Sequence, residues 1–372
     1  MGYRVCFYNC TKFWGGGEKW HYGTASALAH NGWDILFIAN EKSYLSQKLQ
    51  DNDKIKSITI KAGRNSFINP MVRLKLLNIF KDEKPDAIII NDSSDLKLAG
   101  TVARKAGIST IIYRRGSAIP IRDRYFNRFL FDKIVTNIIA NSQKTAETII
   151  QNNKDIFPEN RIKVIYNGID FDYYENYQGA PLYESEKDEI VIGNAGRMVE
   201  QKGQKYLIDI AELLKGNGLP FKILIAGDGG RMKYLKSYTE EKGVSDCIIF
   251  AGFLDDIRPF FASIDIFVLT SLWEGFGYVL AEAAANAIPS IAFDISSNPE
   301  LVEDGKNGYL IPPFEVEQMA EKIVLLANNP ELREKLGNFA IKNAREKFSI
   351  DNNIKELEDY LRSIITNSPG SG

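Results

Sequence analysis

The sequence has few cysteines and lacks any long apolar segment. It contains three cysteines among 372 residues, an odd number without the paired spacing of a disulfide framework or a zinc site. Buried thiols in a reducing compartment are the simpler expectation. No apolar run approaches the roughly 18 residues that cross a bilayer, and the chain begins in a strand-like run rather than a basic leader. We therefore expect a cytoplasmic protein that is neither exported nor membrane-spanning.

Charge is distributed unevenly along the chain. The net charge is -2, yet residues 1–170 contain 26 basic and 16 acidic side chains, and the remainder contains 20 and 32. A basic first half favours an anionic partner, such as a membrane surface or an acidic acceptor. No nucleic-acid partner is expected.

Apolar, β-branched runs alternate with helical segments through most of the sequence. The runs are YRVCFY, DILFIA, DAIIIN, STIIYR, NIIANS, IKVIYN, EIVIGNAG, FKILIAG, CIIFAG and DIFVLT. Continuous apolar strands are typical of parallel sheets covered by helices on both faces. The predicted fold class is α/β, with two Rossmann-like, doubly wound domains that face each other across a cleft.

The length and the breaks in this pattern predict the domain bounds. At roughly 150 residues per domain, 372 residues favour two domains. We place the first at 1–167 and the second at 168–349, with a linker in 167–189, where Gly, Pro, Tyr and charge replace periodic apolar residues. An amphipathic helix at 350–367 is expected to pack back on the first domain.

Glycines cluster in the turn after the first strand. Gly15, Gly16 and Gly17 let the backbone approach a ligand, and a helix beginning near Glu18 would direct its amide groups at an anion there. A flexible loop is the alternative. The dinucleotide fingerprint needs another glycine where Trp20 stands, which disfavours a nicotinamide-dependent oxidoreductase.

The turn after the first strand of the second domain carries two cations. Arg197 and Lys202 bracket a turn that precedes a helix starting near Gln204. A fork-shaped guanidinium and a mobile ammonium suit a diphosphate. Two surface charges beside a helix are the alternative.

A further turn of the second domain is expected at the rim of the cleft. Backbone groups of Gly252, Phe253 and Leu254 are placed to meet the edge of a base, unless Gly and Asp serve only to form the turn. Asp255 and Asp256 are two adjacent carboxylates without a third ligand nearby, so we predict no metal site.

Two carboxylates lie eight positions apart in TSLWEGFGYVLAEAAANAIP. Glu274 is predicted on a turn and Glu282 about one turn into the following helix, with backbone amides of Gly275, Phe276 and Gly277 near the helix start. Two acids of this kind can accept hydrogen bonds from sugar and ribose hydroxyls. They can alternatively be the acid and nucleophile of a glycoside hydrolase, and Glu282 can simply be a solvated helix residue.

These segments resemble the retaining glycosyltransferases of family 4, which have the two-domain GT-B fold. The resemblance is carried by GRMVEQKG (196–203), EGFGYVLAEA (274–283) and NPELVEDGKNGYLIPP (298–313), with similarity also in GGGE (15–18) and IKVIYNGID (162–170). It covers nearly the whole chain and is strongest over its second half.

The resemblance implies a nucleotide-diphosphate sugar held mainly by the C-terminal domain. Glu282 then looks like the ribose ligand, Glu274 faces the donor sugar, and Arg197 with Lys202 clamps the diphosphate; catalytic roles fall to Glu274, Arg197 and Lys202. The full implied donor-binding set is Gly16, Gly17, Arg197, Lys202, Gly252, Phe253, Leu254, Glu274, Gly275, Phe276, Gly277 and Glu282. No cofactor or metal is implied, because the two cations offset the charge of the departing diphosphate. The resemblance implies a reaction that keeps the anomeric configuration, by front-face attack.

One position departs from the family pattern. Many members carry a His after the strand STIIYR, where this chain has Arg114. Arg114 or Arg115 can meet the sugar or an anionic acceptor, or cap the strand. The segment 119–135, which includes Arg122, mixes arginines with aromatic residues. It is either an acceptor-binding surface or, more simply, core aromatics beside solvated arginines.

The function expected from the residues and the resemblance is transfer of a hexose-type sugar. The donor would be UDP- or GDP-linked, and the acceptor a glycan or lipid-linked molecule of cell-surface polysaccharide or lipopolysaccharide synthesis. A phosphorylase or sugar-nucleotide epimerase is the alternative within the fold. A non-catalytic nucleotide-sugar binding protein is disfavoured by the presence of Glu274, Arg197 and Lys202. The location is cytoplasmic, with a place on the inner face of the membrane left open.

Overall fold

The structure, a computed structural model, describes residues 2–152 and 154–366. The chain divides into two compact units, the first containing the described residues up to Gly168 and from Ile350 onward, and the second spanning Ile169–Ser349. The predicted boundary, between residues 167 and 168, differs by one residue from the observed boundary between residues 168 and 169. The C-terminal helix of the first unit is observed at Ile350–Thr366, and residue 367 of its prediction lies outside the described residues.

Seven strands within the described residues form the sheet of the first unit. They are β1 (Arg4–Asn9), β2 (Asp34–Asn40), β3 (Lys56–Ile60), β4 (Ala87–Ile90), β5 (Thr110–Arg115), β6 (Asn137–Ala140) and β7 (Ile162–Val164). All pairs are parallel, in the order β3-β2-β1-β4-β5-β6-β7. The strand order therefore reverses direction between β1 and β4.

Six strands within the described residues form the sheet of the second unit. They are β8 (Ile190–Ala195), β9 (Phe221–Ala226), β10 (Ile248–Gly252), β11 (Ile266–Leu269), β12 (Ser290–Phe293) and β13 (Gly308–Ile311). All pairs are again parallel, and the order β10-β9-β8-β11-β12-β13 repeats the first six positions of the other sheet. Here the order reverses between β8 and β11.

Helices connect successive strands within each sheet, as parallel pairing requires, and further helices precede the second sheet or follow its last strand. They are α1 (Gly16–His30), α2 (Tyr44–Gln50), α3 (Pro70–Glu83), α4 (Ser93–Asp95), α5 (Thr101–Ala106), α6 (Tyr125–Phe129), α7 (Gln143–Ile150), α8 (Phe171–Glu175), α9 (Gln204–Gly216), α10 (Met232–Glu241), α11 (Arg258–Phe261), α12 (Tyr278–Ala285), α13 (Asn298–Leu301), α14 (Val316–Ala327), α15 (Pro330–Phe348) and α16 (Ile350–Thr366). A π-helical turn, Leu96–Gly100, joins α4 to α5, and another, Leu130–Ile134, extends α6. Among residues 2–152 and 154–366, none of these helices combines the length and apolarity needed to cross a membrane.

The central strands are buried on both faces, which explains their continuous apolar sequences. Val5–Tyr8 in β1 and Ile266–Leu269 in β11 are inaccessible to solvent. The ten predicted strands and the α/β class with two Rossmann-like units are confirmed. The three cysteines are buried and free, as predicted.

The segment predicted as a linker, 167–189, is instead packed onto the second unit for much of its length. Phe171 and Tyr174 of α8 are buried. The backbone N–H of Leu182 donates to the carbonyl of Pro259 at 2.8 Å. Two of the aromatic residues of this stretch, Phe171 and Tyr174, are therefore part of the folded core of the second unit.

Helix α16 packs on the first unit although it follows the second in sequence. The indole N–H of Trp33 donates to Glu358 Oε1 at 2.8 Å, and the Asn137 amide donates to the Tyr360 hydroxyl at 3.0 Å. Leu357 is buried. The amphipathic pattern of the helix is thus used inside the unit that contains β1–β7.

Candidate functional site

The strand order of the second unit brings two of the predicted motifs together. Ligands of open α/β sheets bind outside the carboxyl ends of the strands, where the strand order reverses. The strand β8 ends at Ala195, just before Arg197, and the adjacent β11 ends at Leu269, five residues before Glu274. The cation motif and the carboxylate motif therefore flank this reversal point.

A glycine holds the turn after β8 against the end of β11. Gly203 has φ +60°, and a Cβ at this position would lie 2.1 Å from the carbonyl oxygen of Thr270. The neighbouring turn is bonded to the same segment, since Leu272 N–H donates to the Gln201 carbonyl at 2.7 Å and the Gln201 amide donates to the Trp273 carbonyl at 2.8 Å. The close approach at Gly203 fixes the backbone on both sides of Lys202.

Lys202 and Glu274 form an ion pair at this site. The Lys202 Nζ lies 2.5 Å from Glu274 Oε1, and their side chains are 14% and 8% exposed. The Ser271 hydroxyl donates to the same oxygen at 2.6 Å. Gly196 leaves room for the lysine stem, because a Cβ there would lie 3.3 Å from Lys202 Cε. The sequence predicted these two charged residues in separate roles, whereas the structure joins them.

Arg197, the second predicted cation, is exposed. Its backbone is fixed, because its carbonyl accepts a hydrogen bond from the Gln204 amide at 3.1 Å and the neighbouring Met198 N–H donates to the Asp228 carbonyl at 2.9 Å. A mobile guanidinium on a fixed backbone is suited to close on an anionic ligand.

Glu282 is buried in α12 and is not a solvated helix residue. It lies one turn after Gly277, which begins the helix with φ +88°, and it is 6% exposed. The Tyr174 hydroxyl, on α8, donates to the Glu282 carboxylate. Burial of Tyr174, and to a smaller degree the negative charge of Glu282, raises the pKa of Tyr174 well above its ordinary value.

The Phe276 ring is a core group that packs edge-on against Phe348 at 5.3 Å, so only the backbone of Phe276 is suited to a ligand.

The turn after β10 also lies at the carboxyl edge of this sheet. Gly252 has φ +73°, and its carbonyl accepts a hydrogen bond from Gly227 N–H at 2.6 Å. The Phe253 ring is exposed, and Leu254 is half-buried. An exposed aromatic ring beside a glycine turn offers a flat apolar surface to a ligand.

Asp256 forms an ion pair with Arg258. Arg258 Nη2 lies 2.8 Å from Asp256 Oδ2, and hydrogen bonding to this guanidinium lowers the pKa of Asp256 to about 2. Within the described residues there is no group of three or more His, Cys, Asp or Glu placed to hold a metal ion.

In the first unit, the glycine turn lies beside the reversal point between β1 and β4. Helix α1 begins at Gly16, two residues earlier than predicted, and Gly15 caps it without a side chain. A Cβ at Gly17 would lie 2.3 Å from the amide nitrogen of Asn91, which follows β4. The helix start and the end of β4 are therefore in close contact.

Arg114 is buried at the end of β5, where the resemblance places a His. It is 2% exposed, and its guanidinium donates to Asn91 Oδ1 at 2.9 Å and to Asn167 Oδ1 at 2.7 Å. The same group stacks 4.7 Å from the centre of the Trp20 ring. Arg114 thus links three segments of the first unit.

Arg115 and Arg122 have different environments from Arg114. The Arg115 guanidinium donates to the Ile119 carbonyl at 2.5 Å and to the Tyr113 hydroxyl at 3.4 Å. Arg122 is exposed, and its carbonyl accepts a hydrogen bond from Asn127. Of the three arginines predicted to meet an acceptor, Arg122 has the most accessible side chain.

Two buried carboxyl groups of the first unit were missed from sequence. Glu18 accepts a hydrogen bond from the Asn9 amide at 3.2 Å, and Asp95 accepts one from Cys10 N–H at 2.8 Å. Burial raises the pKa of Asp95 to about 8, with the negative charges of Asp92 and Glu18 acting in the same direction. The sequence could have indicated these residues only by their position, because Glu18 follows β1 and Asp95 follows β4, the two strands at the reversal point.

Two family profiles match the chain, one over each unit. The family described as Glycosyltransferase Family 4 matches residues 14–173, and the family described as Glycosyl transferases group 1 matches residues 182–345. Together they leave unmatched only the chain ends and residues 174–181, a short stretch near the start of the second unit.

Curated relatives are similar over nearly their whole length. The capsular polysaccharide biosynthesis glycosyltransferase CapM of Staphylococcus aureus is 27% identical over 368 residues, covering 94% of this chain and 94% of that protein. The UDP-Gal:alpha-D-GlcNAc-diphosphoundecaprenol alpha-1,3-galactosyltransferase of Escherichia coli is 25% identical over 362 residues, covering 91% and 92%.

Solved structures share the fold. Anabaena HepE in complex with UDP and glucose superposes with a TM-score of 0.82 at 22% identity, covering 97% of this chain and 100% of that chain. A glycosyltransferase from Rickettsia africae superposes with a TM-score of 0.85 at 21% identity, covering 99% and 100%.

Proposed function

The chain belongs to the family 4 glycosyltransferases and has the GT-B fold, and we propose that it moves a hexose-type sugar from a UDP- or GDP-linked donor to a glycan or lipid-linked acceptor. We place this reaction in the synthesis of cell-surface polysaccharide or lipopolysaccharide. The relatives support the proposal, since one is named for capsular polysaccharide synthesis and another for galactosyl transfer to a diphosphoundecaprenol acceptor. The observation that carries it is the buried Lys202–Glu274 pair beside exposed Arg197.

The proposed donor site lies in the second unit. Glu282 would accept hydrogen bonds from the ribose hydroxyls, because it is buried and already oriented by the Tyr174 hydroxyl. Arg197 and Lys202 would bind the diphosphate, and Glu274 would face the donor sugar. The backbone of Gly252, Phe253 and Leu254 would meet the base, and that of Gly275, Phe276 and Gly277 the sugar or phosphate oxygens.

The proposed mechanism is electrostatic. When the sugar leaves, negative charge accumulates on the diphosphate and positive charge develops at the anomeric carbon. Cations held in advance beside the diphosphate stabilise this arrangement more than the ground state, and so they lower the barrier. Arg197 and Lys202 supply the cations. The ion pair with Glu274 and the fixed backbone at Gly203 hold Lys202 in place before the donor binds, and the exposed Arg197 would close on the diphosphate when it binds.

We further propose that the reaction retains the anomeric configuration and needs no metal. In a front-face attack, the departing phosphate oxygen accepts the proton of the acceptor hydroxyl as the new glycosidic bond forms. The two cations then supply the charge stabilisation that a metal ion provides in other transferases.

The first unit would contribute to substrate binding through residues at the carboxyl ends of its own strands. Backbone amides of Gly16 and Gly17, at the start of α1, would bind an anionic group of the substrate. Arg114, Arg115 and Arg122 are the proposed acceptor contacts. We place the protein in the cytoplasm, working on the inner face of the membrane.

A thermal-shift screen with UDP and GDP tests the donor site. Ligand binding to the native state raises the midpoint of unfolding, by roughly 5 °C at about 100 times Kd for a chain of this size. We expect one of the two nucleotides to produce this rise, and we expect Glu282→Ala to raise its Kd about tenfold, because it removes a charged hydrogen-bond acceptor from the ribose.

Glu282→Gln is the companion variant, since it preserves side-chain volume and still accepts the Tyr174 hydrogen bond. It should weaken nucleotide binding less than Glu282→Ala. If neither nucleotide shifts the midpoint, the donor proposal is wrong. If both variants bind as tightly as the native protein, the ribose assignment is wrong while the donor proposal stands.

Tyr174→Phe is expected to raise the nucleotide Kd by about threefold to tenfold. The substitution keeps the buried ring but removes the hydroxyl that orients Glu282, and losing a hydrogen bond to a charged group costs about 1.5–3 kcal/mol at most. Because Tyr174 acts through Glu282, the effect should vanish in a Glu282→Ala background. Isothermal titration with the nucleotide selected above measures both values.

Tyr183→Phe is a matched control for this variant. The Tyr183 hydroxyl also donates to a carboxylate, Glu189, at 2.7 Å, but near the amino ends of the strands, before β8. It should leave the nucleotide Kd unchanged. Equal losses in the two variants would show that the effect of Tyr174 is general destabilisation rather than positioning of Glu282.

A further inference from the structure

Exposed apolar side chains are concentrated on one part of the first unit, which we call the α3–α6 face. It is defined by Phe67, Ile68, Met71, Leu74, Tyr125, Phe126 and Phe129. Met71 is 79% exposed and Tyr125 89% exposed, and all but Phe67 rank among the exposed large apolar residues. Three of the four aromatic residues in 119–135 are thus at the surface, and only Phe131 is buried, which corrects the simpler expectation of core aromatics.

The α3–α6 face is continuous although it is built from two distant segments of sequence. The Phe67 ring lies 6.3 Å from the Phe126 ring, which lies 6.1 Å from the Phe129 ring. Lys97 Nζ lies 5.6 Å from the Phe67 ring centre and 5.8 Å from that of Phe126. Single exposed apolar residues are common on proteins, but a connected group of them is typical of an interaction site.

Helix α3 presents its exposed apolar residues on a fixed backbone. Asn69 caps the helix by accepting hydrogen bonds from the N–H groups of Met71 and Val72, and Pro70 occupies its first position. Leu76 and Phe80 anchor the other side of the helix in the core. The exposure of Met71 and Leu74 therefore belongs to an ordered, capped helix.

Basic side chains predominate around the α3–α6 face. Residues 61–81 contain five basic side chains and no acidic one. Lys61, Arg64 and Lys75 of this stretch are exposed, as are Arg122 and Arg124 beside α6. The acid between them, Asp123, is bound by Arg128 through two hydrogen bonds.

We infer that the α3–α6 face docks on an anionic lipid membrane. Exposed aliphatic and aromatic side chains ringed by Lys and Arg match the boundary between headgroups and acyl chains of an anionic leaflet. A second copy of the chain is a poorer occupant, because a two-fold dimer would bring the same basic surface against itself. The inference extends the membrane location proposed above, and lipid binding tests it separately from sugar transfer.

Vesicle co-sedimentation with the full chain tests the inference. The native protein should bind vesicles of phosphatidylcholine mixed with phosphatidylglycerol, bind pure phosphatidylcholine far less, and dissociate as salt is raised. Met71→Ser with Leu74→Ser should lower the partition coefficient about tenfold or more, through lost apolar insertion. Arg64→Glu with Lys75→Glu should do so to a similar degree, through lost attraction to the anionic lipid.

Matched controls come from α15 of the second unit. Phe339→Ser removes a partly exposed aromatic ring, and Lys335→Glu reverses an exposed lysine. Both control variants should bind the mixed vesicles as the native protein does. The two double variants of the α3–α6 face and the two controls should all keep the native unfolding midpoint and nucleotide Kd. Absence of binding to the mixed vesicles, or equal losses in the controls, would overturn the inference. The inference would also be overturned if light scattering showed the native protein to be a dimer and only the Met71→Ser/Leu74→Ser variant to be a monomer.

Discussion

We expect Lys202→Ala to lower kcat by about 100-fold or more, the scale seen when an electrostatic group of the transition state is removed. The Lys202 ammonium is held 2.5 Å from Glu274 in a site that largely excludes solvent. In the proposed mechanism its removal deletes a cation beside the departing diphosphate, and it also leaves the charge of Glu274 without its ion-pair partner. Both changes disfavour an anion at this place, so we expect nucleotide binding to weaken as well.

The measurement is release of UDP or GDP at saturating donor, from a sugar nucleotide that carries the base selected by the thermal-shift screen. Unfolding midpoints must be recorded in parallel, because leaving one partner of a buried pair costs up to about 3–5 kcal/mol of stability. Lys205→Ala is the matched control. Lys205 is three residues further along the chain, and its Nζ lies 5.0 Å from the Tyr206 ring rather than beside Glu274.

A double variant separates two roles for the lysine. If Lys202 served only to neutralise Glu274, then Lys202→Met added to Glu274→Gln would leave kcat at the value of Glu274→Gln alone, since no charge remains to be neutralised. If Lys202 stabilises the leaving diphosphate, the double variant should be slower than Glu274→Gln. Equal kcat values for the double variant and Glu274→Gln would contradict the proposed role.

The architecture could be predicted from sequence because its strands are buried on both faces. The ten continuous apolar runs correspond to strands, but β3, β12 and β13 were not among them. The sequence of β3, KSITI, has exposed residues at its edge position, and β12 and β13 have four residues each. A half-exposed strand such as β3 lacks the apolar signal on which the prediction depends, whereas β12 and β13 are no shorter than β4, β6 and β11, so their length does not account for their omission.

The composition of the site was more predictable than its connections. Lys202 and Glu274 were recognised through separate motifs, yet their ion pair depends on which strands are adjacent, and β8 and β11 are 70 residues apart in sequence. Tyr174 was hidden in a stretch that looked like a linker. A hydrogen bond between distant segments has no local signature, so Tyr174 and Glu282 could not be associated from sequence.

Exposure of the aromatic residues in α6 was also beyond the sequence. Arginine alternating with Phe and Tyr fits either a core helix edged by solvated cations or a surface helix. The difference depends on what covers each face, and that is a property of packing. The structure shows Phe131 buried and its neighbours Phe126 and Phe129 exposed.

Glu274→Gln is expected to lower kcat about 100-fold while leaving nucleotide binding unchanged or tighter. Glu274 Oε1 already accepts hydrogen bonds from Lys202 and Ser271. In the proposed donor site the other oxygen, Oε2, would face the donor sugar, where a negative charge would stabilise the positive charge that develops at the anomeric carbon. The amide removes that charge but frees the ammonium to bind the diphosphate, so kcat and the nucleotide Kd should change differently from those of Lys202→Ala.

The role of Glu274 as nucleophile can be tested with Glu274→Ala and added azide. A nucleophilic carboxylate would form a bond from its oxygen to the anomeric carbon as the bond to the diphosphate breaks. In Glu274→Ala, azide could then replace it and restore nucleotide release, with a glycosyl azide of inverted configuration as the product. A carboxylate oxygen bound by an ammonium and a hydroxyl has its charge stabilised and is a weak nucleophile. We therefore expect no rescue. Formation of a glycosyl azide would instead support two successive displacements at the anomeric carbon, with Glu274 as the nucleophile of the first, and would contradict front-face attack.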